Sequence, residues 1–498
     1  MFTKVIRINM EENKKSSYRS IFKATSLFGG LQVYQILLGI IRSKLIAILL
    51  GPEGMGISGL LQSGRDLVKE CTSLGLSRSA VRDVAEANGT GDIARIARTV
   101  TVLRKLVWYT GLLGVLAVIL FSPILSKSGF GDYSYIIAFC LLSVTLLFSQ
   151  LSEGQTALLQ GLRKYNYLVK ATAIGNTLGL FFTIPLYYLY GTSGIVPALI
   201  ITSIISLVLS YYYSRKIQIP NVHISTKEVL KEGKGMMSLG IIMSLNGMLV
   251  LGCAYVIRAY ISNVGGLDQV GLYNAGFAIV NTYVGMIFSA MSSDYFPRLS
   301  SVNKDNEKCR VLINQQAEIA VLLLAPVVSI CIAFTPLALF ILYSDKFVSA
   351  NGFVLWALYG MVFKAIGWCI SFVFVAKGDK MTFIKNEIFA NVTNVILCVI
   401  GYKMNGLTGL GIGYMAHFVL YFTLLFYIAH NKYQYYFSKE IVKIISVQMP
   451  LLTIEVLLTY LLDGVSFYLC SSIVILISLV YSFIELDKRM DIRKYFKR

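Results

Sequence analysis

Apolar runs of about twenty residues, separated by short polar punctuation, recur along almost the whole chain. A helix rising 1.5 Å per residue needs about 20 such residues to cross a ~30 Å hydrocarbon layer. The pattern predicts fourteen spans, near residues 22–50, 55–77, 100–122, 134–160, 167–190, 194–214, 236–262, 270–296, 312–343, 353–376, 382–402, 406–429, 441–462 and 465–485. The longest polar stretches are the first twenty or so residues, the loop near 78–98 and the linker near 216–234, each too short to fold alone. Residues 1–19 lack the apolar core and small-residue cleavage site of a signal peptide and are expected to stay in the mature chain. The predicted fold class is therefore all-α and integral to a membrane.

Composition agrees: 56% of the 498 residues are apolar and only 14% are charged. The charge is unevenly placed. With the N-terminus inside, the outer loops hold only Lys127, Lys346 and Lys403, and six cations lie within spans. The remainder of the 45 Lys and Arg fall on the inner side. Lys and Arg resist translocation, so both termini are expected to be cytoplasmic. The formal net charge of +19 then reflects topology and attraction to anionic headgroups, and no nucleic-acid-binding motif accompanies it.

An internal repeat organises the spans. "GPEGMGISG" (51–59) follows span one and "GLDQVGLYN" (266–274) follows span seven, so that Gly51, Glu53 and Gly56 stand 215 positions before Gly266, Asp268 and Gly271. The same displacement relates Gly191 and Gly194 of "GTSG" to Gly406 and Gly409 of "GLTG", and Asn176 to Asn391. Two pseudo-symmetric six-helix bundles are expected: a lobe at 1–215, a cytoplasmic linker at 216–235, a second lobe at 236–430, then two further helices and a basic tail at 431–498. Transporters built on such repeats commonly bind substrate between the repeats.

Six mid-span cations stand out: Arg42, Lys44, Arg65, Lys69, Arg258 and Lys364. Allowing one inserted residue, Arg42 and Arg258 are symmetry mates. Arg42 lies eight residues before Leu50, roughly 12 Å of helix, and so near mid-membrane. Arg65 and Lys69 share one face of span two, with Asp66 and Glu70 on an adjacent one. An ionised group at this depth costs several kcal/mol unless it faces protein or water. Three readings remain open: internal neutralisation by Asp66 and Glu70; snorkelling, chiefly for Lys44 and Arg258; and a cationic cavity built to accept an anion. Counting favours the last, because the clearly mid-span acids are Asp66, Glu70 and arguably Glu153 and Glu455. A phosphate or pyrophosphate suits multidonor Arg sites. Gln32, Gln35, Gln62, Asn246, Asn274 and Asn281 are candidate partners for sugar hydroxyls, and Tyr34, Tyr255 and Tyr283 candidate stacking faces, although interfacial belts claim most membrane tyrosines. Asp66, Glu70 and Glu153 are candidates for coupling to protons or sodium.

The segment "KLIAILLGPEGMGISGLLQSGRDLVKECTSLGLSRSAVR" (44–82) resembles the first helical hairpin of the Wzx-type O-antigen and lipid III translocases, with Lys44, Gly51, Pro52, Gly54 and Gly56 fitting the motif. The resemblance extends more weakly over residues 18–430. It implies the multidrug/oligosaccharidyl-lipid/polysaccharide exporter fold, two six-helix lobes around a V-shaped central cavity. It also implies flipping of an undecaprenyl-pyrophosphate-linked oligosaccharide from the cytoplasmic to the periplasmic leaflet, with surface-glycan polymerase machinery as a partner. Many relatives have about twelve helices, so the last two here are an addition.

Other chemistry is thin. His223, His417 and His430 have no carboxylate at ligand spacing, and eight cysteines include no Cys-x-x-Cys pair, so no metal or other cofactor is expected. Two rivals remain: a drug or cation antiporter on the same fold, which needs acids to dominate its cavity, and a membrane-embedded glycan polymerase, which needs a sizeable charged outer loop.

Overall fold

The computed structural model describes Leu27, residues 29–220 and residues 222–490. The predicted inner cations up to and including Lys23 and those beyond residue 490 lie outside the described residues. Every regular element among the described residues is helical. The chain divides into two units, Met1–Tyr255 and Val256–Arg498.

The first unit holds α1 (Gly29–Leu49), α2 (Gly51–Thr72), α3 (Leu76–Gly89), α4 (Ile93–Phe130), α5 (Ile136–Gly161), α6 (Tyr165–Tyr190), α7 (Ile195–Arg215) and most of α8 (Thr226–Gly265). The second unit continues from the end of α8 through α9 (Leu267–Ala278), α10 (Met286–Ser301), α11 (Asn306–Leu342), α12 (Asn351–Ala376), α13 (Lys380–Tyr433), α14 (Lys439–Leu461) and α15 (Gly464–Met490). Half of the linker expected at 216–235 is thus the first turns of α8.

Ten stretches among the described residues are long and apolar enough to cross a membrane. Their difference from fourteen has three physical causes. Tyr165–Arg215 and Lys380–Tyr433 each run two predicted spans together through a corner. Arg65, Asp66, Lys69 and Glu70 lower the apolarity of α2. A π-helical turn, Ile279–Val284, separates α9 from α10 within what was expected as one span. The loop expected near 78–98 is largely α3, whose buried Leu76, Ser79, Ala80, Val84 and Ala87 follow helical spacing. Its apolar stripe packs with Leu103, Leu106 and Val107 of α4, Leu158 of α5 and Val229 of α8.

The repeat is written in the backbone. Gly191 has φ 56° and ψ −134°, and Gly406 has φ 51° and ψ −139°, a region that is essentially glycine's alone. Three residues on, a Cβ at Gly194 would clash with the carbonyl of Leu186, and a Cβ at Gly409 with that of Gly401. Leu186 and Gly401 are themselves 215 apart. The two corners therefore share one backbone geometry and one carbonyl-to-glycine approach.

Candidate functional site

In the first unit the polar cluster is built around the α2–α3 turn. Leu74 and Gly75 both take positive φ, 49° and 60°. Gly75 meets Gly240 of α8 so closely that a Cβ on either would collide with the other strand of backbone. This approach brings Arg78, in the first turn of α3, onto α8, where it donates to the Met243 carbonyl at 3.1 Å and lies 3.1 Å from Glu70 Oε1. Arg65 donates through Nε and Nη2 to Asp66 Oδ1, at 3.0 and 2.7 Å. Lys69 reaches across to Glu153 of α5.

These six side chains line one cavity of about 420 Å³. Arg78 and Glu153 also line a neighbouring cavity of about 410 Å³. Three cations meet three carboxylates, so the positive surplus expected from counting is absent from this cavity; each mid-span cation of α2 has an acid partner. Asp66, Glu70 and Glu153, singled out for ion coupling, are those partners. Arg78 was not singled out, because by sequence it falls in an inner loop where cations are ordinary.

The other first-unit candidates are dispersed. Arg42 and Lys44 are half-buried on α1, and Arg42 is near enough to the buried Tyr187 of α6 to interact electrostatically. Gln62 spends its amide on the carbonyl and hydroxyl of Ser58, one turn back. Gln32 and Asn246 are exposed, and Gln35 is half-buried. Tyr34 pairs with Thr177 at 2.5 Å. Tyr255 is buried and bonded to Ser128 and the Leu125 carbonyl, which makes it a packing residue rather than a stacking face.

In the second unit the arrangement differs. Arg258 donates to Asn274 Oδ1 at 2.8 Å and lies over the rings of Tyr273 and Phe277. Lys364 of α12 donates to Asn281 Oδ1 at 3.2 Å and lies over Phe418 and Phe288. Asn281 belongs to the π turn, a distortion frequent at functional sites. Its Oδ1 also accepts from Tyr414 at 3.3 Å, which fixes the amide orientation. Its Nδ2 is shielded from solvent and has no partner. No carboxylate pairs with Lys364 among the described residues. The ammonium of a half-buried lysine and a shielded amide N–H thus lie side by side, both suited to an oxygen acceptor. Phe277, Tyr414 and Phe418 connect the Arg258 and Lys364 regions edge to face. Two predicted cations and two predicted asparagines are here in direct contact. The ring faces and His417, which bonds Thr393 at 3.0 Å, were not foreseen. The side chain of Tyr283 lies outside what is described.

A third polar pocket, about 790 Å³, lies where the last helices meet α11. Arg489 bridges Glu318 and Glu485 at 2.8 and 2.7 Å, and Arg310 stacks on Tyr436.

This architecture is the all-helical, multi-pass fold seen in solved transporters of the MOP superfamily. The structure aligns with a multidrug resistance MATE family transporter of that superfamily at a TM-score of 0.68, with 16% identity over 80% of this chain and 94% of the other. It also aligns with the lipid II flippase MurJ at 0.64, with 14% identity over 94% and 99%. The chain belongs to the polysaccharide biosynthesis protein family, which matches residues 45–351; the lipid II flippase MurJ family matches residues 225–483. A Shigella flexneri protein named as an O-antigen transporter is 25% identical over 64% of this chain and 75% of its own length. The lipid III flippase of Escherichia coli is 20% identical over 81% and 97%.

Proposed function

We propose that this chain flips a polyprenyl-pyrophosphate-linked oligosaccharide, an undecaprenyl-linked surface-glycan repeat unit, from the cytoplasmic to the periplasmic leaflet of a bacterial inner membrane. It works by alternating access, with both termini cytoplasmic, and delivers substrate to surface-glycan polymerase machinery. The carrying observation is the Lys364–Asn281 pair, an ammonium with no carboxylate partner among the described residues beside an amide N–H without an acceptor. A phosphate oxygen would satisfy both. In the same unit Arg258 donates to the amide oxygen of Asn274.

In the first unit an incoming phosphate would compete with Asp66, Glu70 and Glu153 for Arg65, Arg78 and Lys69. A displaced carboxylate would then be open to a proton or sodium ion, giving these acids their coupling role. Arg42 and Lys44 on α1 extend the same phosphate path. A drug or cation antiporter would need acids left over after pairing, whereas the three around this cavity are all matched.

The test is flipping of a labelled polyprenyl-pyrophosphate oligosaccharide in proteoliposomes. Wild type should transport it. Lys364→Ala should be slower by about tenfold or more, as expected for losing a charge-assisted hydrogen bond; Arg258→Ala and Arg42→Ala should also be slower. No transport by wild type under any ion gradient would sink the function, and equal rates in all variants would remove the site.

A further inference from the structure

The two helices outside the repeat enclose a polar group that the transport reading leaves unused. Glu455, in the last third of α14, has no exposed surface, and Ser329 of α11 and Ser471 of α15 are each 1% exposed. The two hydroxyls lie beside the carboxylate. Even so, neither Glu455 oxygen, nor the Ser329 hydroxyl, nor that of Ser471, makes a hydrogen bond. Four oxygens from three helices thus face one another with no hydrogen bond of ordinary geometry among them.

A bare carboxylate in such a place costs many kcal/mol unless a positive charge joins it. Among the described residues of the packed helices none is at hand. On α14 the nearest cation is Lys443, twelve residues away and about 18 Å along the axis. Arg310 of α11 and Lys488 and Arg489 of α15 lie at the opposite ends of their helices, where Arg489 is held by Glu318 and Glu485. Lys364 of α12 faces Asn281 and the Phe418 and Phe288 rings. The α12 groups that do meet α14 are neutral: Trp356 donates to Tyr460 and Tyr359 pairs with Thr453. Cys331 and Cys470, near the two serines, are free thiols. Their sequence neighbours Val328 and Ile332 on α11 and Leu452 and Val456 on α14 are buried and apolar.

We propose that Glu455, Ser329 and Ser471 bind one dehydrated monovalent metal cation, with sodium as the probe, and that this ion ties α14 and α15 to α11. Oxygen donors suit a hard cation. One negative charge neutralises one monovalent ion, whereas a divalent ion would leave a net charge in an apolar core. A proton is the competing occupant of the same carboxylate.

The experiment is thermal unfolding of the purified full-length chain in detergent, with sodium chloride titrated against choline chloride at constant ionic strength, on both sides of neutral pH. Sodium should raise the melting temperature of wild type saturably. Glu455→Gln should abolish the shift, and Ser329→Ala and Ser471→Ala should each raise the half-saturating sodium concentration by about tenfold or more. Should Glu455→Gln fail to fold, the two serine variants decide. Identical melting in sodium and choline overturns the proposal, as does an undiminished sodium shift in these variants. Stability that follows pH but not sodium assigns the carboxyl to a proton alone and also overturns it. No outcome depends on whether the protein flips lipid.

Discussion

Lys364 and Lys69 show how neighbours decide what a membrane cation does. Lys69 faces Glu153 and is neutralised; Lys364 faces an amide and two rings and is not. Placing a carboxylate beside Lys364 with Asn281→Asp should therefore raise the melting temperature while lowering flipping, because the ammonium gains an ion pair and loses its availability to phosphate. A melting temperature that falls, or transport that holds, would contradict this. Lys69 and Glu153 are each partly exposed, so their pair is worth only about 0.5–1 kcal/mol. A double-mutant cycle with Lys69→Ala and Glu153→Ala should return a coupling energy of that size, read from denaturant or thermal unfolding. Both residues were visible in the sequence as mid-span charges. Their partners were not: Lys69 and Glu153 are 84 positions apart, and Lys364 and Asn281 are 83 apart. No local pattern joins such pairs, and a tally of cations against acids averages a neutral cluster and an uncompensated lysine into one number.

Among the elements, the long apolar helices were legible because hydrocarbon runs need no partner to be recognised. Three features were hidden. The α3 helix reads as a polar loop, since its buried stripe is only five small or medium residues. The π turn at Ile279–Val284 depends on one surplus backbone residue and leaves no compositional trace. The Gly75–Gly240 approach joins two glycines with no shared motif. Each has a measurable consequence. Gly240→Val should destabilise the protein by about 1–3 kcal/mol or more through overpacking against the α2–α3 turn, with a loss of transport from the misplaced Arg78. At the corners, Gly191→Ala and Gly406→Ala should each cost about 1–3 kcal/mol, for the same backbone reason. Their effects should add within about 0.5 kcal/mol if the corners are independent. Unequal costs for the two would show that only one corner is strained by a side chain.

For the molecule as a whole, the asymmetry of Lys and Arg fixes an expected topology. In a background stripped of the eight native cysteines, Lys127→Cys, Lys346→Cys and Lys403→Cys should react with an impermeant thiol reagent added outside intact cells. Arg163→Cys and Lys377→Cys should react only after permeabilisation. Reversal of either set would invert the orientation. The repeat was readable because glycines at equal displacement survive where the residues around them differ, and the shared φ/ψ pair at Gly191 and Gly406 supplies the reason. Backbone shape and side-chain packing are separately encoded at these bends. Thr192 is exposed, whereas its counterpart Leu407 is buried and Thr408 abuts Gly352. Grafting "GTSG" in place of "GLTG" would accordingly preserve the path of the chain and forfeit the contacts beneath it, so that the bend is interchangeable between halves while the filling beneath it is not.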